Sequence, residues 1–123
     1  MTFSGKQLQQ AARRVAGSLP GVSNGRPFTE TLDVYKVADK VFLIVTDDPD
    51  ELIITVKTKP DCGSALRREY STIVRGRYLD KEHWVSVGAG KGINENLVED
   101  LVEGSYQLVR ESLPQKEQPE RSD

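Results

Sequence analysis

The stretch from Thr31 to Thr58 constrains the fold more than any other part of the chain. It holds three runs rich in Val, Ile, Leu, Tyr and Phe: Thr31–Val37, Lys40–Thr46 and Glu51–Thr58. Two residues join the first pair and four join the second. Connections that short serve only antiparallel neighbours, because a parallel pair needs a crossover of about a dozen residues or more. Ala38-Asp39 therefore reads as a tight hairpin, although it lacks the usual glycine. Asp47-Asp48-Pro49-Asp50 reads as a turn in which proline pre-sets φ.

Helical signals flank this meander. Ser4 and Gln7 fit a capping box, and Leu8, Ala11, Ala12, Val15 and Leu19 follow at helical spacing. Gly17 and Pro20-Gly21 end that helix, and Gly21–Thr29 reads as a loop. Pro60 suits the first turn of a short second helix whose inner side would hold Ala65, Leu66 and Tyr70. Thr72–Arg75 and His83–Val87 read as two further strands. Asn94 caps a last helix, with Glu95 in its first turn and an inner stripe of Leu97, Val98, Leu101, Val102, Ser105, Leu108 and Val109. The order α-βββ-α-ββ-α gives an α+β fold: an antiparallel β-sheet with helices packed on one face.

At 123 residues the chain has the length of one domain, placed here at residues 1–113. Pro114–Asp123 contains no aliphatic or aromatic side chain and two prolines, and is expected to be a loose tail. One cysteine, Cys62, and one histidine, His83, exclude an internal disulfide and a zinc site made of Cys and His alone. No apolar run reaches the roughly 20 residues of a membrane span, and the N-terminus lacks the apolar core of a secretory signal. The expectation is a cytoplasmic monomer with no membrane partner.

Net charge is −2, but it alternates along the chain: +4 over residues 1–26, −5 over 27–56, +4 over 57–91 and −5 over 92–123. Nucleic-acid binding by overall charge is therefore excluded, and only a local patch could serve. The acidic turn around Asp47 lacks the spacing and glycine of a calcium loop. Glu99, Asp100 and Glu103 read as a solvated helix face. Gly88-Ala-Gly-Lys-Gly92 mimics a phosphate loop, but Val85 stands at the first glycine position and Gly92 where Ser or Thr is required, so it reads as a turn. His83 has no catalytic partner at a known spacing, and nothing completes a catalytic set around Cys62. The chain reads as a non-enzyme with no cofactor and no metal site.

The second basic block interleaves cations with aromatic residues. Lys57, Lys59, Arg75, Arg77 and Lys81 suit phosphates, and His83 and Trp84 lie among them. Alternation puts Thr55, Lys57, Trp84 and Ser86 on the sheet face away from the helices, if Val85 and Val87 face them. Trp84 would then anchor a recognition surface; the other arrangement packs Trp84 inward with His83.

Several segments carry a family resemblance: Val34-Tyr-Lys-Val37, Lys40-Val-Phe-Leu43, Leu52–Lys57, Gly76–Trp84 with its Lys-x-His-Trp run, and Ser105–Val109. Leu19-Pro-Gly21 and Arg26-Pro-Phe28 fit as well. In order and spacing the chain resembles the MmcQ/YjbR family from about Phe3 to Leu113. The resemblance implies a frataxin-like fold and a "double wing" DNA-binding protein, with DNA as partner. Asp39 and Asp80 depart from the glycine and asparagine common there. Frataxin-like folds also imply an alternative, a module that docks a protein partner on the open sheet face around Trp84.

Overall fold

The computed structural model describes residues 3–76 and 79–119. Helix α1 (Gly5–Ser18) is followed by β1 (Val22–Gly25), β2 (Leu32–Val37), β3 (Lys40–Asp48) and β4 (Glu51–Lys57). Helix α2 (Pro60–Glu69), β5 (Ile73–Arg75), β6 (Trp84–Gly88) and α3 (Glu95–Glu111) complete the domain. The strands form one antiparallel sheet in the order β1-β2-β3-β4-β6-β5. The expected order holds, with one strand added. Val22-Ser-Asn-Gly25 has turn-like residues and read as loop, yet it pairs with β2 from Val22↔Val37 to Gly25↔Val34.

Both long helices start as their residues dictate. The Ser4 hydroxyl accepts from the Gln7 N–H at 3.1 Å, and the Gln7 side chain accepts from the Ser4 N–H at 2.8 Å. Asn94 accepts from the Leu97 N–H at 2.9 Å. Helices α1 and α3 lie against each other and against the middle strands. Between helices and sheet sit Leu8, Ala12, Leu43, Val45, Ile54, Val56, Val85, Val87, Val98 and Val102, all buried. The short α2 differs: only Gly63 is buried, Leu66 and Tyr70 are half-buried, and Ala65, expected inside, is exposed.

Polar side chains tie helices to sheet. The Ser105 hydroxyl donates to the Phe42 carbonyl at 2.5 Å and accepts the Lys57 N–H at 2.8 Å. It does so where β3 carries one extra residue: Tyr35 pairs with Leu43 but Lys36 with Val41, which leaves Phe42 without a partner on β2. Next to it, the Tyr106 ring meets the Phe42 ring edge-on at 5.4 Å, and its hydroxyl donates to the Pro20 carbonyl at 2.6 Å. Gln9, buried on α1, donates to the carbonyls of Thr46 at 2.5 Å and Ile53 at 3.1 Å. Asp33, buried on β2, pairs with Arg13 of α1 and accepts from Asn24 of β1 at 2.5 Å.

Residues 114–119 run back along the domain. Gln115–Glu117 form a 3-10 turn, and Arg110 Nε–H donates to the Pro119 carbonyl at 2.9 Å. Among the described residues no helix is long and apolar enough to cross a membrane.

Two outcomes follow. Ser105→Ala leaves the Lys57 N–H and the Phe42 carbonyl without their partner in the protein interior, and should cost about 2–3 kcal/mol, read as a lower urea midpoint. Ala38 and Asp39 both have positive φ, 48° and 68°, as a two-residue hairpin of the mirror-image type requires. Ala38→Asn combined with Asp39→Gly should therefore stabilise the chain by about 1 kcal/mol in thermal unfolding.

Candidate functional site

Strand order brings three strand ends together. β4 and β5 lie on either side of β6 and both run antiparallel to it. Their C-terminal ends therefore meet the start of β6 at one end of the sheet. Lys57 closes β4 and Lys59 caps α2, while Arg75 closes β5. Lys81 and His83 lie just before β6. Lys59, Arg75 and Lys81 are exposed, and Lys57 and His83 are half-buried. Backbone bonds fix the arrangement: Thr58 N–H donates to the His83 carbonyl at 2.8 Å, and Gly76 N–H to the Trp84 carbonyl at 2.7 Å.

The cations share that end but not one face. Lys57 pairs with Trp84, whereas Arg75 pairs with Val85, whose side chain is in the core under the helices. With side chains alternating along each strand, Lys57 and Arg75 point to opposite faces. Arg77 lies outside the described residues.

The expected open face around Trp84 is not open. Trp84 is 9% exposed, Ser86 1% and Thr55 0%. Val34, Ile44 and Thr46 on the same face are buried too. The Thr55 and Ser86 hydroxyls satisfy each other across β4 and β6 at 2.8 Å. Gly76 closes against Trp84 so tightly that a Cβ there would stand 2.5 Å from the Trp84 Cβ, a space only glycine leaves free. Trp84 is therefore a core residue, and its ring offers little surface to a docking partner. His83 does not follow it inward.

His83 has a partner that spacing alone did not reveal. Its Nδ1 lies 2.7 Å from Asp80 Oδ2, three residues earlier, and Asp80 Oδ1 accepts the Glu82 N–H at 2.9 Å. An Asp at the first position of a turn does this by nature, so the Asp-x-x-His spacing was the available signal. The Glu82 N–H and then the His83 ring hold the Asp80 carboxyl below the usual carboxylate range, with the Lys57 charge adding to the effect. Its folded value being lowered, Asp80 stabilises this turn above its ordinary range, and the effect is lost as pH falls through the lowered value. Asp80, Glu82 and His83 bring one ligand-type atom each within 4.8 Å of one another. They are solvent-facing, and Asp80 already holds two internal partners.

Gly88-Ala-Gly-Lys-Gly92 is a turn packed on the segment around Thr72. Thr72 Oγ1 donates to the Gly88 carbonyl at 2.8 Å, and a Cβ on Gly90 would strike the Thr72 side chain. Cys62 is exposed on the first turn of α2. Near it, Thr58 Oγ1 is buried with no hydrogen-bond partner among the described residues.

Trp84→Ala should lower stability by about 3–5 kcal/mol, as large aromatic truncations in a core do. Chemical denaturation with the Trp84-independent far-ultraviolet signal measures it; an unchanged midpoint would place the ring outside the core.

Comparison with known proteins places the fold and its relatives. A model of the YjbR family matches residues 17–108. The uncharacterized protein YbdF of Escherichia coli O157:H7 is 32% identical over 113 residues, covering 92% of this chain and 93% of that protein. The uncharacterized protein YjbR of Escherichia coli K12 is 29% identical over 116 residues, covering 94% and 93%. The crystal structure of Deinococcus radiodurans protein DR2400, which carries the domain DUF419, matches with a TM-score of 0.80 at 28% identity, over 93% of this chain and 84% of that one. A Pseudomonas syringae protein shares the fold at a TM-score of 0.65 and 21% identity, over 84% and 96%.

Proposed function

The chain belongs to the YjbR family, and from that membership we propose that it is a non-enzymatic DNA-binding protein that grips the phosphate backbone with the cations at one end of its sheet. The observation that carries this reading is the convergence of Lys57, Lys59, Arg75 and Lys81 where β4, β5 and β6 meet. Flexible ammonium groups and a guanidinium on a fixed platform suit phosphates, which supply affinity without sequence information. Because Lys57 and Arg75 point to opposite faces, the duplex crosses the end of the sheet and does not lie flat on it.

The acidic groups of the same turn set the strength. Asp80 and Glu82 stand beside Lys81 and reduce the local positive field. Binding is therefore weak and governed by salt. Trp84 contributes no stacking on this reading, because its ring is in the core. A protein-docking role anchored on Trp84 loses its anchor for the same reason.

Four neutralised phosphates give a log–log salt slope of about −3 to −4 on duplex DNA. Fluorescence anisotropy of a labelled duplex across a salt series should read that slope. Lys57→Gln, Lys59→Gln and Lys81→Gln together should flatten it to about −1. No binding by the parent chain at low salt, or an unchanged slope in the triple variant, rules the assignment out.

A further inference from the structure

A groove of about 380 Å³ separates the first turn of α2 from α3. That volume falls within the about 300–1,000 Å³ of small-molecule sites. Its α3 wall is Leu101, Gly104, Ser105 and Leu108, one stripe at helical spacing. Apart from Ser105, which also bonds the sheet, this stripe lies beside the one that faces the sheet, which runs through Val98, Val102, Ser105, Tyr106 and Val109. Leu66 of α2 adds a further apolar surface.

Three features give the groove an orientation. Gly104 sits in the middle of α3, and no atom lies within 4 Å of the place its Cβ would take. A mid-helix glycine costs about 1 kcal/mol against alanine, and here nothing in the protein needs the missing side chain; what it leaves is space in the groove. Thr58, which lines the groove, is buried, and its Oγ1 has no hydrogen-bond partner among the described residues. An orphaned buried hydroxyl is costly and rare in native proteins. Around it, Lys59 stands where α2 begins with no side-chain cap, and the Lys57 backbone adjoins Ser105, while Asp100 and Glu111 are on the α3 wall.

We propose that this groove binds a small amphipathic carboxylate. Its apolar chain lies along Leu66, Leu101 and Leu108 over Gly104. Its carboxylate lies beside Lys59 and accepts the Thr58 hydroxyl. The site borders the proposed DNA contact and shares Lys59 with it, but it does not depend on that contact: Leu66, Leu101, Gly104 and Leu108 and the Thr58 hydroxyl form the groove whether or not DNA binds.

Octanoate, kept below its micellar range, is the probe. Titrated into the full isotope-labelled chain, it should give saturable amide shifts centred on Thr58, Lys59, Gly104 and Ser105. Gly104→Leu fills the groove at an exposed helical position that tolerates leucine, and should abolish the shifts. Thr58→Val removes the orphaned hydroxyl without removing its bulk. It should weaken octanoate about tenfold, as loss of one hydrogen bond to a charged group does, and leave the melting temperature unchanged or raised. Octanol, which has no charge, should bind about tenfold more weakly than octanoate to the parent chain. Shifts that never saturate, octanol binding as tightly as octanoate, or full binding by both variants would each overturn the proposal.

Discussion

One serine hydroxyl holds the two halves of this molecule in register. Ser105 sits on the last helix, yet its oxygen stands between β3 and β4, bonded to the Phe42 carbonyl and the Lys57 N–H. An extra residue in β3 would otherwise leave those two backbone groups unpaired in the interior, where each unpaired group costs about 1–3 kcal/mol. Because the helix satisfies them, the bulge is tolerated. Tyr106 then reaches Pro20 at the end of α1, so one turn of α3 positions the sheet and the other helix together. The cationic end of the sheet begins at Lys57, the residue whose backbone Ser105 holds.

Local chemistry was legible in the sequence wherever it was self-sufficient. The caps at Ser4 and Asn94, proline at the start of α2, the three-stranded meander and the two-residue hairpin all follow from residues within a few positions of one another. The apolar stripes of α1 and α3 follow from periodicity. What escaped was set by distant partners. β1 has a turn-like sequence, and its pairing rests on β2 and on the Asn24 bond to Asp33. Gln9 looks like a surface glutamine, and only the carbonyls of β3 and β4 explain its burial.

The candidate site shows the same division. That Lys57, Lys59, Arg75 and Lys81 fall at strand and helix ends was readable; that these ends coincide depends on β4 and β5 flanking β6. Alternation correctly put Trp84, Thr55 and Ser86 on the face away from the helices. It could not show whether that face is covered, since a period of two assigns sides and not exposure. Gly76 carried the relevant signal, a glycine where another backbone approaches closely, but its contact with Trp84 lies eight residues on in the chain.

The position of Ser105 on α3, after all six strands, has a consequence during synthesis. A domain emerging from the ribosome can form its meander early, because β2, β3 and β4 are joined by short turns. The bulge, however, stays unpaired until α3 has been made and docked. Nearly the whole domain must therefore leave the ribosome before its sheet is complete, and its nascent form presents β3 and β4 with open hydrogen-bonding groups in the meantime. For a chain of this topology, that interval is when trapping by another unfinished strand is most favoured.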